Sequence, residues 1–577
     1  MHDLVIRNAN IVDGTGSKAR KGDIAVDGDR ITEVGGKAGA AKREVDADGR
    51  LVTPGWVDIH THYDGQATWD PYLTPSSWHG ATTVVMGNCG VGFAPARPDR
   101  HQWLIELMEG VEDIPGSALA EGIQWNWESF PEYLDALEGM QRAIDIGTQV
   151  PHGAVRAYVM GERGANNEEA NLEDIQRMSA IVEDGLRHGA LGFSSSRTML
   201  HRSVSGEPVP GTFAGHEELI GIGRALGRAG HGVFEIASDF GIGGMTGRFG
   251  DDIAWMKALS KETGRPVSFA LGQSSRQPDE WREILGMTAQ AVADGANIRA
   301  QVAARPAGML FGFESSFHPF LGHPTFMQLL ERPLDERLAA LKTPEIKAKL
   351  LREESTFKGK FNSTVIKEYW RMFPLGDEPH YEPRPDESIE AIAEREGRPP
   401  IEVLYDAMSE SDGRALIYFP LINYANFDFE AIRAQLLDST ALLSLSDGGA
   451  HCGLICDVSS STFLLSYWTR DRERGERIPL EKAVRMQTLD TATAYGLSDR
   501  GVLKPGYKAD INVIDYDNLN IDAPRIVYDL PAGGRRLIQK ATGYDATIVS
   551  GVPIYESGEA TGELPGRLIR GPQVGSA

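Results

Sequence analysis

Only three cysteines, Cys89, Cys452 and Cys456, occur in 577 residues. That is too few for a disulfide framework in a chain of this size, so a reducing cytoplasm is the expected setting. Basic residues are also in deficit: 58 Lys and Arg stand against 82 Asp and Glu, a formal charge of −24. With no Lys/Arg-rich run to follow a phosphate backbone, nucleic acid is not an expected partner. The chain lacks any run of about 18 apolar residues, so no helical membrane span is expected. Met1-His2-Asp3-Leu4 enters a strand-like pattern at once, which leaves no room for a signal segment. A glycine-rich dinucleotide fingerprint, a phosphate loop and a Ser-His-Asp elbow are missing too. What is there is 41% hydrophobic and 24% charged, the composition of a folded globular chain. Its length holds one large α/β barrel plus a second domain or long insertions.

The first fifty residues alternate short β segments with turns, including Asp27-Gly28-Asp29, a hairpin signal. Ala509–Ile514 and Ala546–Val549 repeat that grammar near the other end. Two unrelated appendages would read alike; the preferred reading is one small β-sandwich from residues 1–54 and 503–577, because chain ends often meet. Between them, eight apolar runs alternate with helical stretches: Gly55–His62, Thr82–Gly90, Gln149–Val159, Gly189–Ser196, Gly232–Ser238, Pro266–Gly272, Ile298–Ala304 and Ala441–Asp447. That is the count of a (β/α)8 barrel, placed at 55–502 with an insertion at about 307–440. A charged helix is expected near Leu334–Glu354, and a loose Gly- and Pro-rich tail over the last twenty or so residues.

Candidate chemistry sits at the ends of these runs. His60 and His62 are two apart on the first, so their rings share one face; they suit a zinc-like ion, or are simply polar residues at a strand end. Asp447 leaves the eighth run before Gly448-Gly449, where an Asp can ligate a metal and take a proton from water, or serve a turn. Cys89, in Asn88-Cys89-Gly90, is a thiolate ligand or a small apolar residue. Arg197, after Ser194-Ser195-Ser196, can clamp a substrate carboxylate or form a salt bridge. Ser194, His152, His201 and Tyr63 complete the pocket candidates. Trp125, Trp127 and the Phe311–Phe320 stretch are either an apolar wall or lid, or core.

Taken together, Ile59-His60-Thr61-His62 after Pro54-Gly55, Asn88-Cys89-Gly90 and Ser446-Asp447-Gly448 resemble the amidohydrolase superfamily. Asp3–Ala9, Val12–Gly16, Gly189–Ser194 and Gly501–Ile511 resemble its D-aminoacylase, or N-acyl-D-amino-acid deacylase, branch. The resemblance implies a barrel with one or two zinc ions, or another divalent metal. By it, His60 and His62 match metal ligands, Cys89 the cysteine ligand that takes the place of the superfamily's carboxylated lysine, and Asp447 a ligand and catalytic proton shuttle. It also implies histidines ending strands five and six, where this chain has Ala237 and Leu271. Glu235 and Asp239 share the Ala237 face and are candidates for an oxygen ligand or for the pocket wall. The expected partner is a small amide, and assembly into a homo-oligomer stays open. The expected reaction is metal-assisted cleavage of a C–N amide bond in an N-acyl amino acid or peptide-like compound. The rivals are a mononuclear deaminase or cyclic-amide hydrolase on the same scaffold, and a non-catalytic scaffold.

Overall fold

The computed structural model describes residues 1–241, 249–356 and 364–575. Its terminal strands owe their order to alternating apolar residues. Leu4, Ile6, Ile24, Val26, Val52, Ile511, Val513 and Ile548 share one buried cluster. His2–Ile11 runs antiparallel to Arg20–Asp27 and parallel to Ala41–Asp46 and Leu51–Pro54. Leu51–Pro54 also pairs with Ile511–Ile514, which pairs with Tyr544–Val549. Both ends of the chain therefore build one nine-stranded sheet.

Eight parallel strands follow: β1 (Trp56–Asp58), β2 (Ala81–Met86), β3 (Asp145–Thr148, resuming at Val150–Pro151), β4 (Gly192–Arg197), β5 (Val233–Ser238), β6 (Val267–Ala270), β7 (Ile298–Val302) and β8 (Ala441–Leu443). β1, β2 and the first piece of β3 form one sheet; the second piece of β3 continues through β4, β5, β6 and β7 to β8 in another. Beyond β8, Asp447 N–H donates to His60 O (3.2 Å) and Gly448 O accepts from His62 N–H (2.8 Å), joining the segment after β8 to the segment after β1. Amphipathic helices connect the strands. Leu172–His188 is one of them: Asn171 and Asp174 cap its start reciprocally, and Gly189 (φ 119°) ends it in a left-handed turn. The fold is thus mixed α/β, and no described helix is long and apolar enough to cross a membrane.

Four local expectations are corrected. The predicted third strand, Gln149–Val159, is strand only to Pro151; His152–Met160 is a helix, because a short apolar run does not reveal its own period. β8 stops at Leu443, since Leu445 (φ 63°) and Asp447 (φ 51°) leave the extended region. The helix expected near Leu334–Glu354 is two, Leu334–Leu341 and Pro344–Leu350, broken where Pro344 starts the second. The expected loose tail is tied down: Ile569 N–H donates to Ile146 O (2.7 Å), and Gln573–Val574 pairs with Leu497–Ser498.

Between β7 and β8, Gly308–Phe311, Phe373–Pro374 and Ile417–Pro420 make a small antiparallel sheet. With the surrounding helices it encloses a core of its own containing Phe311, Phe313 and Phe320. The aromatic stretch here is core, not lid. At the lower ends of the strands, Asp145 meets Arg500 (2.7 Å) and Lys508 (3.0 Å), and Lys508 meets Asp510 (2.7 Å). This buried clasp ties β3 to the residues leading into the terminal sheet.

Candidate metal centre

His60 and His62 lie just past β1, where the backbone stays extended because both neighbours hold it. Thr61 N–H donates to Val85 O (3.1 Å) and His62 N–H to Gly448 O. The two-residue alternation survives, and the rings face each other edge to face with centroids 5.4 Å apart. Cys89 sits in the turn after β2 with φ 57°; its N–H donates to Glu235 Oε2 (2.9 Å) and the next N–H to Ser194 Oγ (3.0 Å). Gly90 (φ 72°) permits this, since a Cβ there would lie 2.7 Å from Ser196 N. The left-handed step at Asp447 brings its Oδ1 to 3.6 Å from His60 Nε2 and 3.6 Å from His62 Nε2. Cys89 Sγ is 3.3 Å from His60 Nε2.

The ligating atoms of His60, His62 and Cys89 lie within 4.8 Å of one another. Ligands arranged tetrahedrally around zinc at about 2.0–2.3 Å stand about 3.3–3.8 Å apart, a range that holds the 3.6 Å from Asp447 to each imidazole and the 3.3 Å from Cys89 to His60. Two imidazoles, a thiol and a carboxylate are a donor set suited to zinc.

The electrostatics agree. Burial holds His62 down at about 4, so its imidazole is neutral and offers a lone pair. Burial, then Asp447, Asp64 and Glu235, push Glu112 well above the carboxylate range. Glu235 is pushed up to about 7, chiefly by burial. Burial and the same carboxylates raise the Cys89 thiol. Asp447 moves the other way: burial would raise it, but His62, His60 and His451 outweigh burial and hold it low. Crowded carboxylates that push one another up are what a divalent cation neutralises.

The other predicted site residues are placed less usefully. Arg197 donates to Ala214 O (2.7 Å) and reaches Asp252 (3.4 Å), so its fork is already engaged. His152 is buried between Ser195 Oγ (2.9 Å) and Glu218 (3.0 Å). Ser194 Oγ donates to Gly87 O (2.5 Å) while bracing Gly90, and Tyr63 OH donates to Ser76 Oγ (2.7 Å). All four expected substrate contacts thus make bonds that shape the walls. Glu235 anchors the cysteine turn, its other oxygen 4.0 Å from His60 Nδ1, and Asp239 Oδ2 accepts from Met199 N–H (3.4 Å). Trp127 is buried against Tyr133 and donates to Phe93 O. Cys452 and Cys456 join no metal-holding group among the described residues.

Three residues at the centre escaped the sequence reading. Glu112, ending the helix His101–Glu112, puts Oε1 3.3 Å from His62 Nδ1 and Oε2 3.7 Å from His451 Nε2. Gln301 on β7 accepts from His60 Nδ1 at 2.8 Å. Nothing in their local pattern marks Glu112 or Gln301; the one available signal was His451, four residues past Asp447.

The sequence profile described as the Amidohydrolase family matches residues 43–555. The chain is 26% identical over 580 residues to D-aminoacylase of Alcaligenes xylosoxydans xylosoxydans, covering 98% of this chain and 97% of that one. It is 27% identical over 576 residues to N-acyl-D-aspartate deacylase of the same organism, covering 98% and 95%. Its fold resembles the solved structure of N-acyl-D-glutamate deacylase from Bordetella bronchiseptica, with a TM-score of 0.63, 22% identity and 99% of each chain covered; that protein was solved with zinc and a phosphonate mimic of its tetrahedral intermediate. With a profile match over most of its length and the His-x-His pair, the cysteine and the late aspartate gathered at one point, this chain belongs to the amidohydrolase family.

Proposed function

We propose that this protein is a metal-dependent hydrolase that cleaves the amide C–N bond of an N-acyl amino acid or a peptide-like small molecule. The observation that carries the reading is the convergence of Asp447 on His60 and His62, 3.6 Å from each Nε2. On this reading the two parallel sheets, joined through Asp447 and Gly448, close into a (β/α)8 barrel over residues 55–502 with the insertion at about 307–440. The site then lies at the C-terminal strand ends, as in barrel enzymes generally.

His60, His62, Cys89 and Asp447 are the residues that would hold the metal, with zinc the natural candidate for this donor set. Ala237 and Leu271 are buried and apolar where the family resemblance implies two further histidines, which supports a single ion over two. What a divalent metal supplies when bound is Lewis-acid chemistry: a polarised carbonyl and a more acidic water. The chain's own part is proton handling. The Asp447 carboxylate, kept ionised by the flanking imidazoles, takes the proton of the attacking water and returns it to the departing amine nitrogen. His62, neutral through burial, keeps its lone pair for ligation.

The test is a substrate panel on purified protein, stripped with chelator and reloaded with zinc, manganese or cobalt. N-acyl-D- and N-acyl-L-amino acids are compared with hydantoin-like rings and nucleobase-like amines. Release of carboxylate and free amine from an acyl amide, lost on chelation and restored by metal, is the expected result. Ammonia release from a ring, or no metal-dependent turnover of any member, refutes it.

A further inference from the structure

We propose that Glu112 and Gln301 are positioning residues that turn both imidazoles so that their Nε2 atoms face Asp447 and Cys89. The inference rests on the metal-site reading above and extends it to the atoms behind the ligands.

The His60 side is a closed network. Gln301 Oε1 accepts from Ser444 Oγ (2.7 Å) and from His60 Nδ1 (2.8 Å), while its Nε2 donates to Ser268 Oγ (2.9 Å). Two serines, Ser268 on β6 and Ser444 just past β8, therefore set the amide, and the amide sets the ring. With Nδ1 donating, Nε2 keeps a lone pair toward Cys89 and Asp447.

The His62 side is simpler and more costly. Glu112 Oε1 and His62 Nδ1 are 3.3 Å apart, and neither atom has a hydrogen-bond partner among the described residues. Both side chains are 1% exposed. Glu112 also closes the helix His101–Glu112, where a carboxylate opposes the helix dipole. Among the described residues its ion-pair partners are His62 and His451 alone. A buried carboxylate at the wrong end of a helix, without Lys or Arg in contact, is a liability unless it serves a neighbour. The neighbour it faces is the rear nitrogen of His62. A carboxylate behind a ligating imidazole fixes its tautomer and raises its basicity, and losing that partner weakens metal binding about 10–100-fold. Glu235 serves the third donor in the same spirit by holding the Cys89 backbone (2.9 Å).

The experiment is zinc titration of the full chain against a competing chromophoric chelator. Wild type, E112A, E112Q, E112D, Q301A and H62A are compared, each with its thermal midpoint before metal is added. E112A and Q301A are expected to bind zinc about 10–100-fold more weakly. E112D should recover part of the loss, and the near-isosteric E112Q should show a weakening without a drop in midpoint. Cobalt(II) bound to E112Q should show altered visible ligand-field bands. Zinc affinity within twofold of wild type in both E112A and Q301A, or unchanged affinity and cobalt bands in E112Q, overturns the inference while the metal site stands. Wild type that takes up no zinc, or H62A that binds as well as wild type, brings down the metal-site reading itself and this inference with it.

Discussion

Buried acids gather at both ends of the parallel strands, and the two gatherings are neutralised differently. At the lower end, Asp145, Asp499 and Asp510 face Arg500 and Lys508, with contacts of 2.7 to 3.0 Å. Burial alone would raise the Asp145 carboxyl, but Lys508 and Arg500 hold it well below the usual range; Asp510 beside it is pushed up, chiefly by burial, so the two cations hold Asp145 first. At the upper end, Glu112, Glu235 and Asp447 surround two imidazoles, and among the described residues none of the three pairs with Lys or Arg. There the carboxyls of Glu112 and Glu235 rise instead. The same residue types therefore make a clasp where the chain supplies its own cations, and a receptive site where it does not.

The comparison can be broken at either end. The largest effect is expected from Asp447→Asn, which removes the proposed proton carrier and on that proposal should lower kcat of the metal-loaded protein about 10²–10⁴-fold. Steady-state kinetics on the preferred acyl amide checks it; a loss under tenfold would move proton transfer elsewhere. Next is Asp145→Asn, which replaces the carboxylate that Arg500 and Lys508 share with a neutral amide and leaves them Asp499 and Asp510. Stripping a buried charge of every partner costs about 3–5 kcal/mol; with two acids remaining the loss should fall below that, lowering the denaturation midpoint while zinc affinity stays put, and equal stability would erase the distinction between the two ends. The smallest effect is on acid stability. Because the Asp145 carboxyl lies low in the folded state, its contribution is complete above its unfolded value of about 3.9 and fades as pH falls through the lower folded value. Melting curves taken downward from pH 5 should therefore steepen below about pH 4 in wild type, and do so less in Asp145→Asn.

Much of this was legible beforehand, and the reasons differ by residue. Leu172–His188 carries its own boundaries in Asn171 and Gly189. His60 and His62 are conspicuous because two imidazoles at a two-residue spacing must share a side of any extended segment. Arg197, His152, Ser194 and Tyr63 read as site residues because a polar side chain looks the same whether it meets a ligand or a neighbouring wall. Their partners, among them Glu218 and Ser76, are spatial facts. Glu112 and Gln301 were invisible for the converse reason: each matters through one atom of a residue remote in sequence, with His60 and Gln301 241 positions apart.

Periodicity, capping and residue chemistry act between near neighbours in the chain, so the sequence alone determined the alternation of strands and helices, the imidazole pair and the stock of carboxylates. Which acids find an arginine or lysine, and which are left with only imidazoles, is set by long-range packing. That packing determines the distance and dielectric between charges, and only the tertiary structure decided it.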